Sequence, residues 1–294
     1  MRRPVDPEMD QAASSGETFS EHRFIAYDKN VIFYRKVASQ GQPKAILFLI
    51  HGLGEHGGRY LPSACFFSSL GIECWIPDLR GFGESGGKRG YTDGLWEYKA
   101  DFKVLYGLAE RAHAGVPIFL MGHSFGGLLT VLFLKQCRPV HLKGLILSSP
   151  LLGVALPIPI WQSLLAKTAS LLLPTLTQNS GVKTEFLTHD PDMRLLREQD
   201  PLIHSKISAR LYTEFLQGIT EAFKTAPQIQ TPMLILQAGD DRIVSKPKTQ
   251  LFYQRLSSAD KELHFYDGWY HELLNEVQRQ AVFEKISGWL IKHI

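Results

Sequence analysis

The chain has little cysteine. Only Cys65, Cys74 and Cys137 occur in 294 residues, and no two form a Cys-x-x-Cys pair. That excludes a disulfide-stapled scaffold and a dithiol redox motif, because any pairing leaves one thiol over. Cys74 lies in the apolar run Ile72–Pro77, where it reads as a small buried hydrophobe; such usage suits a reducing, cytoplasmic setting. Long apolar stretches are also missing. Proline and polar residues break every run well short of about 18 apolar positions, so no segment reads as membrane-spanning. Residues 1–21, with Pro, Asp, Glu, Ser and Gly, contain no apolar signal core and read as a disordered tail. Charge of one sign is not concentrated. Net charge is +3, from 32 Lys and Arg against 29 Asp and Glu, and the basic residues are scattered. This leaves no footprint for nucleic acid and only a mild attraction to anionic membrane surfaces. No His, Cys and carboxylate set shows metal-ligand spacing, and there are no internal repeats.

What is present is an alternation of two patterns. Val31–Tyr34 forms an early strand, and Ala45–Ile50 is a continuous apolar run of the kind buried on both faces of a parallel sheet. Further runs follow at Glu73–Pro77, Ile118–Met121, Leu142–Ser148, Met233–Gln237 and Glu262–Tyr266. Helical patterns fall between them, at about 60–70, 96–113, 126–137, 246–257 and 276–292. Alternating strand and helix predicts an α/β fold with a mostly parallel central sheet. The alternation stops between about Pro150 and Pro227, which shows helical patterns and no convincing strand. In Ile160–Leu173, Ile160, Trp161, Leu164, Leu165, Ala169 and Leu172 share one face, with Ser163, Lys167 and Ser170 on another. The expected organisation is a core of residues 22–150 and 226–294 carrying a helical cap at 151–225.

Directly behind the strand at 116–121 comes Gly122-His123-Ser124-Phe125-Gly126. A Gly-x-Ser-x-Gly between a buried strand and a helix forces its serine into a sharp turn with an exposed hydroxyl. The pentapeptide is weak alone. With Gly and Ser each near 7% of residues, a chain this long holds about 0.1 matches by chance, and a glycine-rich strand-to-helix turn would read the same. A rival chemistry lies in Gly52-Leu53-Gly54-Glu55-His56-Gly57, which fits the dinucleotide-binding glycine pattern, follows a buried strand, and has Asp78 ending the next one. Gly81–Gly86 fits that pattern too, so it is permissive here. Glu55 would also stand unfavourably near a pyrophosphate. The alternative is an oxyanion loop. Ester hydrolysis develops negative charge on the carbonyl oxygen, and two backbone N–H groups aimed there stabilise it. In this fold one comes from the residue after the nucleophile, Phe125, and the other from a glycine-rich loop after an earlier strand, here Leu53.

A serine nucleophile needs a base, and the base an orienting carboxylate. In this fold they follow in the order Ser, acid, His. The acid belongs in the loop leaving the strand Met233–Gln237, where Asp240 and Asp241 are adjacent. Asp241, just before Arg242-Ile243-Val244, is the candidate acid, and Asp240 caps or tightens the turn. Only His264, His271 and His293 follow. His264 lies in a strand pattern and His293 at the C-terminus, which leaves His271, in the loop Asp267–Glu272, as the base. His123 adjoins the serine but is expected to point away into packing. This chemistry calls for no metal and no cofactor.

From about His22 onward the sequence resembles the α/β-hydrolase family of monoacylglycerol lipases and related lysophospholipases. The likeness rests on His51-Gly52-Leu53-Gly54-Glu55-His56-Gly57-Gly58-Arg59-Tyr60, on Asp78–Ser85, on Gly122–Gly127, on Asp241-Arg242 and on Gly268–His271. Phe125 stands where a methionine is common. The resemblance implies a serine ester hydrolase acting on a lipid ester through an acyl-enzyme. It implies that Glu55 and Arg59 form or brace the polar end of the pocket, against the plainer reading of a loop-locking salt bridge. It also implies an acyl channel under the cap and transient peripheral contact of the cap with a membrane or micelle. Lysophospholipase, broad carboxylesterase and a non-catalytic binding protein of the same fold are the alternative readings.

Overall fold

The computed structural model describes residues 19–137, 141–155 and 160–294, with the side chains of 135–137 and 160–164 excepted. Its frame is an eight-stranded sheet. The strands are β1 (Ser20–Ile25), β2 (Val31–Val37), β3 (Ala45–Ile50), β4 (Ile72–Pro77), β5 (Ile118–His123) and β6 (Leu142–Ser148), then β9 (Met233–Ala238) and β10 (Lys261–Tyr266). Their spatial order is β1-β2-β4-β3-β5-β6-β9-β10. β1 with β2 and β2 with β4 are antiparallel, and every later pairing is parallel. The mostly parallel sheet expected from the apolar runs is therefore present.

Those runs are continuous because the central strands are covered on both faces. All six residues of β3 are buried. Successive side chains leave a strand on opposite sides, so Ile46, Phe48 and Ile50 join one core layer while Ala45, Leu47 and Leu49 join the other. The first layer is closed by α2 (Leu95–Ala112) and α3 (Phe125–Cys137), with Phe102 and Phe133 meeting edge to face at 4.5 Å. The second is closed by α1 (Leu61–Ser69) and α8 (Arg279–His293), whose Trp289 meets Phe119 edge to face at 6.0 Å. α7 (Lys246–Arg255) lies between β9 and β10.

Three expectations need correction. The tail does not reach residue 21: β1 begins at Ser20 and pairs with β2 through Ser20–Ile25. Its residues are mostly half-buried and polar, as an edge strand allows, so no apolar run announces it. Residues 1–18 lie outside the described residues. Second, the segment between β6 and β9 is not wholly helical. It holds α4 (Ile160–Leu172), α5 (Pro191–Gln199) and α6 (Ala209–Thr225), together with a two-stranded antiparallel pair, β7 (Thr177–Asn179) and β8 (Lys206–Ser208). Strands of three residues are too short to show a period. Third, α4 does not bury the stripe read from its sequence. Leu165 and Leu172 are exposed, while Ser170, assigned to the polar face, is buried. The Ser170 hydroxyl accepts a hydrogen bond from Thr213 Oγ1 at 2.9 Å and its carbonyl one from Arg210 Nη2 at 3.1 Å. A satisfied serine can face α6, which leaves the leucines outside. Ile160, Trp161 and Leu164 fall among the side chains not described.

Candidate active site

β5 ends at His123 and α3 starts at Phe125, so Ser124 alone turns the chain between them. Its φ is +51°, a left-handed conformation that a non-glycine residue adopts only where its surroundings impose it. Here they do. A Cβ on Gly122 would lie 2.4 Å from the Gly126 carbonyl oxygen, and one on Gly126 would lie 2.2 Å from that of Ile50. Only glycines let the strand, the helix and β3 close this tightly. The Ser124 N–H donates to Ser148 O at 3.0 Å, and its carbonyl accepts from Leu151 N at 2.8 Å, which fixes the turn from the β6 side. Phe125 opens α3, so its N–H is among those a helix leaves without an intrahelical partner.

Asp241 sits in the loop after β9. Its Oδ1 accepts from the Ile243 and Val244 N–H groups, each at 2.9 Å, and its Oδ2 lies 2.8 Å from His271 Nδ1. Burial pushes the Asp241 carboxyl pKa up, but the imidazole and the two N–H donors hold it below its usual value. Burial likewise disfavours a charged His271. Asp241, Glu272 and Glu55 outweigh it and raise the His271 pKa. Ser124, His271 and Leu53 line one cavity of about 450 Å³. Ser124, His271 and Leu53 thus meet at one cavity, with Asp241 behind His271 and the Phe125 N–H adjoining Ser124.

His123 departs from expectation. It lines the same cavity and its ring lies 4.7 Å from that of His271. Nδ1 lies 3.1 Å from Ser148 O, and burial, with His271 beside it, drives its pKa down to about 4. It is the last residue of β5, and the pleat, which the pentapeptide does not show, aims it inward.

Glu55 and Arg59 belong to a buried charged cluster. Glu55 Oε1 accepts from Gly52 N at 2.7 Å and Tyr60 OH at 2.9 Å, while Oε2 lies 3.0 Å from Arg59 Nε. Arg59 also pairs with Glu272. Glu272 accepts from Asn275 Nδ2 at 2.9 Å and faces Arg197 Nη1 at 3.5 Å. Burial opposes ionising either glutamate, yet Arg59 keeps both carboxyls below the ordinary range. Glu55, Glu272 and Arg197 line the cavity, whereas Arg59 braces the glutamates from behind. Glu272 and Arg197 are not among the residues that the sequence marks for the site. Only the adjacency of Glu272 to His271 could have flagged the first, and nothing local marks the second. The glycine loop leaves no open anion cradle at Gly52, because Glu55 already takes its N–H. Among the described residues no group of three or more His, Cys, Asp and Glu could hold a metal ion.

A second groove, of about 590 Å³, runs between α4 and α6 along Leu165, Ala169 and Leu176; Gln178 and Tyr212 line both it and the first cavity.

The eight-stranded sheet, with a serine at the β5–α3 turn and an acid–histidine pair beyond β9 and β10, defines an α/β-hydrolase. The model of the serine aminopeptidase S33 family matches residues 41–278, and the chain belongs to that family. It is a serine hydrolase, of lipase or esterase character. It is 32% identical to the phospholipase YtpA of Bacillus subtilis over 254 residues, 86% of this chain and 97% of that one. Against the monoglyceride lipase of Homo sapiens it is 30% identical over 268 residues, 90% and 88% of the two chains. It spans 29% of the length of an uncharacterized abhydrolase domain-containing protein of Dictyostelium discoideum, at 32% identity over 94% of its own. The crystal structure of Paleococcus ferrophilus monoacylglycerol lipase superposes with a TM-score of 0.82 at 28% identity, covering 90% of this chain and 99% of that one.

Proposed function

We propose that the enzyme hydrolyses monoacylglycerols to fatty acid and glycerol through an acyl-enzyme on Ser124. The observation that carries this reading is a single cavity that joins Ser124 and His271 to an apolar wall of Leu151, Val154, Ile207 and Phe215. His271 takes the Ser124 proton as the hydroxyl attacks the ester carbonyl. The Leu53 and Phe125 N–H groups receive the developing oxyanion, aided by the N-terminal end of α3. Charged His271 then protonates the leaving glycerol oxygen. A water that it deprotonates releases the fatty acid, while Asp241 holds the imidazole in one tautomer throughout. Glu55, kept in place by Arg59, faces the glycerol hydroxyls.

In this reading the eight-stranded sheet, from β1 at Ser20 onward, and the helices that cover it form the catalytic core, and 151–225 a cap. The groove shared through Gln178 and Tyr212 extends the acyl path toward α4. Leu171, Leu172 and Leu173, at 76%, 69% and 59% exposure, offer the cap an apolar tip for a membrane or micelle surface. Among the described residues no helix is long and apolar enough to cross a membrane. The relatives named monoacylglycerol lipase and monoglyceride lipase support the substrate class.

The test has two parts. A fluorophosphonate probe should label the protein, and Ser124→Ala should abolish labelling. Side-by-side assays of monoacylglycerols, lysophosphatidylcholine and short aryl esters should then favour the monoacylglycerols. Labelling that survives in Ser124→Ala refutes the mechanism, and turnover of aryl esters alone refutes the substrate.

A further inference from the structure

Glu276 stands between the His271 loop and α8 and is only 1% exposed. Its one ion pair among the described residues is to His189, not to a Lys or Arg. A carboxylate taken this far out of water is costly unless donors converge on it. Here they do. Oε1 accepts from the Tyr270 N–H at 2.8 Å and lies 2.9 Å from His189 Nδ1. Oε2 accepts from the His189 N–H at 3.0 Å, the Thr188 hydroxyl at 3.3 Å and, more weakly, the Val277 N–H at 3.4 Å. An ionised carboxylate accepts on both oxygens and carries no donor of its own, which an amide cannot match.

One of these donors, Tyr270, immediately precedes His271 in a stretch, 267–272, that belongs to no strand or helix. With no ladder to hold it, this backbone is fixed on either side of His271. Asp240 N donates to Trp269 O at 3.0 Å, the Tyr270 N–H goes to Glu276, and Glu272 N donates to Leu187 O at 2.7 Å. Of these anchors only Glu276 is charged. The Tyr270 ring stacks on His189 at 3.7 Å, and the guanidinium of Arg242, next to Asp241 in the chain, lies 5.3 Å from its centre. The loop of the acid, the loop of the base and segment 188–190 therefore meet at Tyr270 and Glu276.

We propose that Glu276 is a positioning residue for the base: through the Tyr270 N–H it sets where the His271 imidazole stands relative to Asp241 and Ser124. It touches neither substrate nor reacting atoms. The proposal rests on the mechanism above, in which His271 is the base. A misplacement of about 1 Å can cost roughly 10²-fold in rate, so a single backbone contact beside the base carries weight.

Glu276→Gln keeps the shape and tests the contact. Its one oxygen must choose a side. An NH2 in place of Oε2 would leave two backbone N–H groups, His189 and Val277, without this acceptor. In place of Oε1 it leaves one, that of Tyr270, and His189 Nδ1 can accept from it. The amide therefore turns toward Tyr270, and the loop loses its anchor. On a short aryl ester kcat should fall about tenfold or more, with KM within about threefold, per mole of protein that labels at Ser124. The pH midpoint of the acid limb should also move down, by about half a unit or more. Burial lowers the His271 pKa, and Asp241, Glu272 and Glu55 raise it, with His123 packed beside the ring. A ring drawn away from Asp241 loses the first of these carboxylates, whereas a residue that only stabilised the fold would leave the midpoint in place. His189→Phe, which keeps the stack on Tyr270 without the Nδ1 contact, should hold kcat within about threefold. Glu276→Asp, which keeps the charge, should fall between wild type and Glu276→Gln, and decides the matter where the glutamine variant does not fold. Wild-type kcat or an unmoved midpoint in these Glu276 variants overturns the proposal, as does an equal loss in His189→Phe. A wild-type enzyme that does not label at Ser124, or whose activity has no acid limb, overturns the mechanism beneath it.

Discussion

Asp241→Asn tests the proposed triad most sharply, because the structure dictates how the new amide must lie. Oδ1 of Asp241 faces two backbone donors, Ile243 N and Val244 N, and Oδ2 faces His271 Nδ1. Asparagine has one oxygen for these two sides. With its NH2 toward the backbone, two buried N–H groups lose their acceptor, at about 1–3 kcal/mol each. With its NH2 toward His271, the cost falls on Gln237 Nε2, whose 3.2 Å contact to Oδ2 is matched by another to Ala238 O at the same distance. The second orientation therefore wins by a few kcal/mol, more than tenfold in population. An NH2 can only donate, so Nδ1 of His271 becomes the acceptor and its proton moves to Nε2. The nitrogen meant to receive the serine proton then already carries one. The expected loss in kcat is about 10⁴, the scale of a wrong-tautomer triad, with the fold intact because the loop keeps its backbone hydrogen bonds. Steady-state hydrolysis of a short aryl ester measures it, with thermal unfolding as control and Asp240→Asn as comparison, expected within about threefold of wild type on its loop position alone. Retention of more than about a tenth of wild-type activity in Asp241→Asn, or an equal loss in Asp240→Asn, would refute the tautomer argument.

Other expectations follow from the same geometry. Burial lowers the His271 pKa, but the three surrounding carboxylates raise it above 6.5; the neutral form is the base, so activity on a soluble ester should fall as pH drops through a midpoint above 6.5. His123, driven down to about 4, should add no second inflection between about pH 5 and 9, and a flat profile from about pH 5 to 8 would remove His271 as base. Arg59→Ala leaves Glu55 and Glu272 buried together without their shared cation, which should cost about 3–5 kcal/mol in chemical denaturation; a change below about 1 kcal/mol would show that the cluster is not electrostatically coupled. Replacing Leu171 and Leu172 together by serine should lower hydrolysis of vesicle-borne monoacylglycerol roughly tenfold or more, since each buried leucine contributes about 1.5–3 kcal/mol. Aryl ester turnover should stay within about twofold, and an equal loss on both substrates would place the effect in the fold instead of at the surface.

The parts of this protein written in local sequence are those whose physics is local. The continuous apolar runs of β3, β5 and β9 mark strands covered on both faces, and the helix patterns between them lie within a few residues of α1, α2, α3, α7 and α8. The nucleophile turn is legible for a similar reason: Gly122 is demanded by the Gly126 carbonyl just across Ser124, although Gly126 itself answers to the distant Ile50 of β3. Ser124, Asp241 and His271 could be placed by their order along the chain because each follows its own strand. β1 was not legible, being a half-buried polar edge, and the buried side of α4 was not either. A serine or a leucine can face inward there, depending on whether Thr213, 43 residues away, supplies a partner.

By itself, then, the sequence determined the sheet, the strained serine and the chain order of its proposed partners, since apolar runs and turn geometry are read from neighbours in the chain. Tertiary structure decided the rest of the site. It turned His123 onto His271, put Arg59 behind the cavity, and brought Glu272 and Arg197 to its wall. Charges buried at one point must be balanced by charges brought from elsewhere, and which ones arrive depends on how distant segments close over the sheet. No local pattern records that closure.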